Sequence, residues 1–202
     1  MRTGRLEAFS DGVLAIIITI MILEMKVPEG SNFEALKPIL PIFLTYVLSF
    51  VHIAIYWNNH HHLLYAVNKV NGKILWANLN LLFWLSLFPF VTGWMGENHF
   101  ETNPTALYGV VLFMAALAFK ILVFFVIKNE GKTSKVGKVY NNDRKLNISL
   151  LLYLSGIAIS VFQPLIGLLV YLGVALKWIV SDKRIELTVK DYIIDIKNSF
   201  KN

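Results

Sequence analysis

Long apolar stretches separated by short polar breaks are the feature that most constrains this chain. Six stretches can be read, and each is close to the roughly 20 residues that a helix needs to cross about 30 Å of hydrocarbon. The composition, with 56% hydrophobic and 16% charged residues, also departs from that of soluble domains. The sequence therefore predicts an all-α membrane protein with six spans, at about residues 6–25, 39–56, 74–95, 105–127, 146–162 and 165–180.

The last two stretches are short and share a break at Gln163 and Pro164. Proline lacks the amide hydrogen of a helix and clashes with the preceding turn, so the break favours a tight hairpin between two spans. A single bent helix is the alternative, because membrane helices tolerate proline. We expect a six-span domain over residues 1–181 and a tail over 182–202, whose apolar spacing favours an amphipathic helix.

Lysine and arginine residues concentrate in alternate connections. Sixteen of the 19 lie before the first stretch, between the second and third, between the fourth and fifth, or around the end of the sixth. Positive residues near span ends are retained in the cytoplasm, so both termini are expected there. The net charge of +6 is thus a topology signal, and no nucleic-acid partner is expected. A signal peptide is the alternative for the first stretch, but Glu7 and Asp11 argue against it.

Several function classes are disfavoured by what the sequence lacks. There is no cysteine, which excludes disulfides, thiolate metal sites and cysteine nucleophiles. We also find no phosphate-binding glycine loop, no nucleophile elbow and no pair of histidines flanking a glutamate at helical spacing. The Thr-Val-Gly-Tyr-Gly filter of ordinary potassium channels is absent as well. We therefore expect neither an enzyme nor a cofactor, and a channel of this sequence would need another selectivity device.

The first stretch carries a defined helical face. At 100° per residue, Gly12, Ile16, Thr19, Ile20 and Leu23 lie on one side of the helix. Such a stripe is ordinarily a packing face, and that interpretation stays open. If several copies surround an axis, Ile16 and Leu23 would form rings that exclude water, Thr19 would place hydroxyls between them, and Gly12 and Ile20 would also face the pore.

The opposite side of this helix carries Ser10 and Asp11. An ionised carboxylate at that position requires partners from other helices or trapped water. Asp11 is therefore predicted to be structural.

Three consecutive histidines follow the second stretch: His60, His61 and His62. Adjacent helical positions diverge by 100°, so three such rings cannot face one metal ion from one helix. Hydrogen bonds to other helices, with Asp11 or Asn78 as partners, and a response to pH are the favoured roles, and no metal is expected.

The segment Arg5-Leu-Glu-Ala-Phe9-Ser10-Asp11 resembles the signature Arg-x-x-x-Phe-Ser-Asp of the transmembrane protein 175 family, which includes lysosomal potassium channels. The resemblance continues through three further motifs and covers about the first 130 residues. These motifs are Tyr56-Trp57-x-x-His60-His61-His62, Trp76-x-Asn78 and Pro89-Phe90-x-Thr92.

The resemblance implies a potassium-permeable channel with six spans per repeat, no filter loop and a pore lined by the first span. A single repeat is similar to the prokaryotic type, which is a homotetramer in the cell membrane, so potassium ions, the lipid bilayer and further copies of the chain are the expected partners. Ile16 matches the narrowest constriction, Thr19 the hydroxyl layer linked with potassium preference, and Leu23 the next apolar ring.

In the same resemblance, Arg5, Phe9, Ser10 and Asp11 form a packing signature. The constriction is often leucine in bacterial members; here it is isoleucine, whose β-branch is stiffer, so the gate is expected to differ in width. Rings of hydroxyls discriminate ions less than cages of carbonyls do, so the expected potassium preference is modest.

Two alternative functions remain. A proton-permeable channel is the nearer one, since animal relatives are associated with proton leak. A proton-coupled secondary transporter would use Asp11 and the three histidines as a relay, but it would need charged groups near the bilayer midplane, and Asp11 lies close to the cytoplasmic end.

Overall fold

A computed structural model of the protein describes residues 3–140 and 143–179, and the elements in these ranges are helical. The predicted tail at 182–202 lies outside the described residues. The helices are α1 (Thr3–Leu23), a 3-10 helix (Phe33–Ile39), α2 (Leu40–Tyr65), α3 (Gly72–Ser86), α4 (Phe88–Glu97), α5 (Thr102–Glu130), α6 (Lys135–Tyr140), α7 (Arg144–Ser160) and α8 (Pro164–Ile179).

Four helical segments are long and apolar enough to cross a membrane: Thr3–Leu23, Phe33–Tyr65, Gly72–Glu97 and Thr102–Glu130. Of the shorter helices in the described residues, α8 is apolar and has 16 residues, and α7, which precedes it, has 17. They pack against each other, and the hydroxyls of Ser160 and Tyr171 lie 3.2 Å apart. A Cβ atom at Gly167 would collide with the Ser160 side chain, so glycine is required for this approach. The break at Pro164 is therefore a hairpin and not a bend in one helix.

The third predicted stretch, 74–95, lies within the apolar segment Gly72–Glu97. The structure interrupts it at Leu87, between α3 and α4. Pro89 lies in the first turn of α4, where its ring would clash with the carbonyl four residues earlier in an unbroken helix. The Leu87 amide instead donates to the carbonyl of Trp84, three residues earlier, at 3.3 Å. The backbone therefore makes a turn tighter than that of an α-helix at this point.

The second predicted stretch, 39–56, covers the apolar part of α2. The helix itself continues to Tyr65, so the three histidines lie on its last turns. Hydropathy falls after Tyr56, but the backbone hydrogen bonds of a helix do not depend on apolar side chains. The polar turns continue because they pack against neighbouring helices, as the buried His60 and Leu63 show.

The helices form one bundle in which α5 is central and α1 is peripheral. α5 contacts α3, α4, α6, α7 and α8, and its Tyr108 and Leu112 are fully buried. α1 packs against α2, α3 and α4. One side of α1 is consequently covered by the bundle, and the other side faces outward.

Candidate functional site

The outward side of α1 is the stripe singled out from the sequence. Gly12, Ile16, Thr19, Ile20 and Leu23 are all exposed, with Ile16 at 58% and Leu23 at 80%. The covered side consists of residues that are nearly inaccessible: Leu6, Ser10, Leu14, Ile17 and Met21. The stripe therefore has no packing partner within the described part of the subunit, which disfavours its interpretation as an internal packing face.

Side-chain size changes along this exposed side. The N-terminal half combines the small residues Gly4, Ala8, Gly12 and Ala15 with the exposed Arg5 and Phe9, and a Cβ added at either glycine would meet no atom within 4 Å. From Ile16 onward the exposed residues are bulky. A pore lined by this surface would be wider at Gly12 than at Ile16.

Thr19 lies between the bulky residues with its hydroxyl already oriented. Its Oγ1 donates to the carbonyl oxygen of Ile16 at 2.9 Å, while the side chain stays exposed. This is the local bond expected of threonine in a membrane helix. Because the hydroxyl hydrogen is used within the helix, the oxygen lone pairs are directed outward, where they can accept hydrogen bonds from water or contact a cation.

A buried hydrogen-bond chain holds the other side of α1. Ser10 Oγ donates to the Leu6 carbonyl at 2.8 Å and accepts a bond from Asn78 Nδ2 at 3.0 Å. The Asn78 Oδ1 atom lies 2.6 Å from Nε2 of His60. Because that amide oxygen can only accept, His60 donates through Nε2. The predicted bond between His60 and Asn78 is confirmed, and it links α1, α2 and α3.

Asp11 has a different partner from the one expected. Trp57 Nε1 donates to Asp11 Oδ1 at 3.0 Å, so a tryptophan, and not a histidine, bonds this carboxylate. The signal that could have found Trp57 is its place in the family motif beside the histidines. His61 instead contacts Glu7, with 2.7 Å between Nδ1 and Oε1.

The three histidines therefore diverge. His60 faces Asn78, and His61 faces Glu7 and stacks on Trp57 with ring centroids 6.0 Å apart. His62 is half-buried, with its ring edge-on to that of His61. Their directions match the geometric expectation that one helix cannot aim three adjacent rings at one ion.

Arg5 and Phe9 do not pack inside the subunit, although the resemblance assigns them to the packing signature. Both are exposed on α1, Phe9 at 54%. Ser10 and Asp11 of that signature bond other helices of the subunit, and a packing role for Arg5 and Phe9 stays a prediction.

Near the opposite end of α1, sequence reasoning missed a second polar chain. Thr92 of α4 lies 3.8 Å from the Met21 sulfur and 2.7 Å from the Ser49 hydroxyl. Ser49 in turn lies 3.0 Å from the hydroxyl of Tyr108. Thr92 belongs to a motif of the family resemblance, but Ser49 gave no signal, because an isolated serine in an apolar stretch resembles a side chain that bonds its own helix.

Glu24 follows Leu23 directly and approaches α4. A Cβ at Gly93 would lie 2.9 Å from the Glu24 carboxylate, so the glycine makes room for it. Burial raises the pKa of Glu24 above its ordinary value, and the nearby Glu97 carboxylate adds to that rise. An acidic group thus lies immediately beyond the exposed Leu23.

Comparisons with known proteins converge on one family. The family model described as endosomal/lysosomal potassium channel TMEM175 matches residues 5–89. A potassium channel from Chryseobacterium sp. strain P1-3 is 56% identical over 191 residues, which are 95% of this chain and 100% of that protein. The endosomal/lysosomal proton channel TMEM175 of Gallus gallus is 33% identical over 129 residues, 56% of this chain and 26% of that longer protein.

The fold has a solved counterpart. The crystal structure of a lysosomal potassium-selective channel TMEM175 homolog from Chamaesiphon minutus matches with a TM-score of 0.77 and 27% identity. The match covers 88% of this chain and 96% of that chain.

Proposed function

Because this chain belongs to the TMEM175 family, we propose that it is a potassium-permeable channel in the cell membrane, a homotetramer whose pore is lined by α1 of each subunit. The observation that carries the proposal is the exposed side of α1, which joins bulky apolar residues to one hydroxyl and is uncovered within the subunit. The potassium channel from Chryseobacterium supports it, since that relative matches along nearly the whole chain.

In this proposal Ile16 and Leu23 form two hydrophobic rings. They are seven residues apart, so the rings are separated by about 10 Å along the helix axis. Apolar rings at close quarters exclude water and thereby oppose the passage of hydrated ions. The open space at Gly12 would leave the pore wider about one turn before Ile16, and ions would meet the principal barrier at Ile16.

Thr19 lies between the rings and supplies oxygen atoms to a partly dehydrated cation. Its hydroxyl hydrogen bonds the Ile16 carbonyl, so the outward lone pairs need no reorientation when an ion arrives. One hydroxyl per subunit replaces less of a hydration shell than a cage of carbonyls does. Passive conduction with modest potassium preference follows, without a carbonyl filter.

The proposed topology has six crossings with both ends in the cytoplasm. The hairpin of α7 and α8 supplies the last two, each about 25 Å long at 1.5 Å per residue. The distribution of lysine and arginine supports this orientation. Glu7, Asp11 and the histidines would then lie toward the cytoplasmic side, and Glu24 at the outer end.

Proton permeability is a second candidate, favoured by the proton-channel name of the Gallus gallus relative. An experiment can separate proton permeability from potassium permeability. In proteoliposomes with an impermeant cation and an imposed pH gradient, the gradient would collapse only if protons pass through the protein. A proton-coupled transporter would in addition need a transported substrate whose flux follows the gradient.

The test is single-channel recording in planar bilayers under a potassium to sodium gradient, comparing the wild type with Ile16→Asn and Leu151→Asn. Leu151 is the matched control, because it is an apolar residue of α7 with 64% exposure. We expect Ile16→Asn alone to raise the current about tenfold, corresponding to a barrier lower by about 1.4 kcal/mol. Equal effects of the two variants, or no resolved current, would contradict a pore on α1.

A further inference from the structure

Two asparagine side chains lie on the outward surface of the subunit without a hydrogen bond. Asn58 of α2 is exposed and Asn80 of α3 is half-buried, and within the described residues neither amide has a hydrogen-bond partner. Asn59 and Asn78, in contrast, are buried and hydrogen-bonded. A side-chain amide has two donor hydrogens and an acceptor oxygen, so one asparagine can bond another.

The two unbonded amides lie at the same depth. The contact between His60 Nε2 and Asn78 Oδ1, at 2.6 Å, places these two residues level on α2 and α3. A short connection joins the two helices at this end, so they run in opposite directions. Asn58 comes two residues before His60 and Asn80 two residues after Asn78. Both are therefore displaced from that level by about 3 Å in the same direction.

This depth is inside the hydrocarbon. Lys73 is the first charged residue of the apolar segment Gly72–Glu97. Asn80 lies about 10 Å beyond Lys73 along the helix axis and about 6 Å beyond the exposed Trp76, a residue type typical of the headgroup depth. An unpaired amide is costly there, because no water is present to bond it. Each of the two asparagines therefore requires a partner from outside its own subunit.

α2 and α3 lie on different sides of α1. Asn78 of α3 donates to Ser10 of α1, and Trp57 of α2 donates to Asp11. Ser10 and Asp11 are adjacent, so their side chains diverge by about 100° around α1. If the exposed side of α1 faces a central axis, as in the proposed channel, α2 and α3 are directed toward the two neighbouring subunits. A cyclic oligomer joins unlike surfaces, so α2 of one subunit meets α3 of the next.

The surfaces beside the two amides also match in size. Phe83 lies about one turn beyond Asn80 toward the other end of the membrane-crossing segment and is 56% exposed. Ala54 lies about one turn from Asn58 in the same direction and is half-buried. A small residue opposite a bulky one allows two membrane helices to approach closely. The two surfaces are therefore complementary in shape as well as in hydrogen bonding.

We propose that a second copy of this chain covers these surfaces, and that the side-chain amide of Asn58 in one subunit hydrogen-bonds that of Asn80 in the next. Four such pairs close a ring around the α1 helices. The inference rests on the proposed tetramer and names the residues that join its subunits. A lipid acyl chain, the alternative occupant, could bond neither amide.

The first test is disulfide crosslinking, for which the chain is suited because it contains no cysteine. The variant is Asn58→Cys with Asn80→Cys, oxidised in native membranes with copper phenanthroline and separated by denaturing electrophoresis without reductant. A disulfide requires Cα atoms within about 7 Å, so it forms only where the two positions meet. We expect a ladder that ends at a covalent tetramer. The two single variants expressed together should give a covalent dimer and nothing larger, because each subunit then carries one cysteine.

The matched control is Asn58→Cys with Leu151→Cys. Leu151 is exposed on α7 and follows Arg144 by seven residues, the spacing that separates Asn80 from Lys73. The paired variant should give at least about tenfold more crosslinked protein than this control. Equal ladders, monomer alone in both, or crosslinking of the paired variant that stops at the dimer would overturn the proposal.

Crosslinking is measured without any current, so the two proposals fail separately. A chain that conducts no ions can still give the ladder, which would confirm the subunit contact. A chain that conducts potassium without giving the ladder would overturn the asparagine contact and leave the proposed channel in place.

The hydrogen bond itself is tested by alanine substitution. Asn58→Ala and Asn80→Ala each break it, so each should lower the ratio of tetramer to monomer in detergent at least about tenfold, since four bonds are lost per tetramer. The double variant should lower this ratio no more than about twofold further, because one bond cannot be lost twice. Size-exclusion chromatography over a series of protein concentrations measures the ratio. Additive losses would show that the two amides do not bond each other.

Discussion

The exposed side of α1 and the exposed side of the α7–α8 hairpin look alike by exposure alone. Ile16 is 58% and Leu151 is 64% exposed. Each side also contains a glycine with open space around it, Gly12 and Gly173, and a hydroxyl that bonds its own helix. Exposure and composition therefore do not separate a pore surface from a lipid surface.

The two regions differ in what lies behind them. α1 is held by directional polar bonds, which Asn78 donates to Ser10 and Trp57 donates to Asp11. The hairpin has polar bonds as well, between Ser160 and Tyr171 and from Trp178 to Ser149, but these join α7 to α8. Against α5 the hairpin is held mainly by close packing around Tyr171, with which a Cβ at Gly109 would collide. Directional bonds fix the rotation of a helix more strictly than apolar contact does, and a helix that aims particular residues at a pore requires such fixed rotation.

The largest expected difference comes from the two open glycines. Gly12→Leu should reduce potassium current at least about tenfold, because leucine at the wide part of the proposed pore adds a third apolar ring. Gly173→Leu should leave the current unchanged, since its side chain would face lipid. Both changes favour the helix, so neither should unfold the subunit. Planar-bilayer recording of the purified protein measures the current, and unchanged current in both variants would remove Gly12 from the proposed pore.

A second prediction addresses the bonds behind α1. Asn78→Leu leaves Nε2 of His60 and the Ser10 hydroxyl without their partner and should lower the free energy of unfolding by about 1–3 kcal/mol. Asn147→Leu, which loses only the exposed bond from Lys120, should cost less than about 1 kcal/mol. Thermal denaturation in detergent measures both. Similar losses of unfolding free energy in the two variants would mean that the buried hydrogen bonds among Ser10, Asn78 and His60 do not hold α1 in place.

The third prediction compares two hydroxyls with the same local bond. Thr19 and Ser155 both donate to a carbonyl of their own helix, at 2.9 Å, and both are exposed. Thr19→Ala should lower the ratio of potassium to sodium permeability about two- to threefold, as expected for one weak hydroxyl layer. Ser155→Ala should not change the ratio. Reversal potentials in mixed gradients give the ratio, and a strong preference that survives Thr19→Ala would assign selectivity elsewhere.

The α1 stripe could be predicted because one helical period relates its residues, and the period does not depend on the rest of the fold. The C-terminal end of α2 could not be predicted, because hydropathy falls at Tyr56 while the helical backbone hydrogen bonds continue to Tyr65. The partner of Asp11 was also missed. Which aromatic side chain reaches the Asp11 carboxylate depends on how α1 is rotated and shifted relative to α2. A single sequence does not determine that arrangement.

The smallest expected effect concerns Glu24, which has no counterpart on the hairpin. As a carboxylate beyond Leu23 it would attract cations to the outer mouth, an effect limited by screening to about twofold at physiological salt. Its pKa is raised, first by burial and then by Glu97, so it gains a proton at higher pH than an ordinary glutamate. Acidifying the outer side should therefore lower the current while Glu24 protonates. Glu24→Gln should remove that step, whereas Glu29→Gln in the following loop should retain it; a step unchanged in Glu24→Gln would place the titrating group elsewhere.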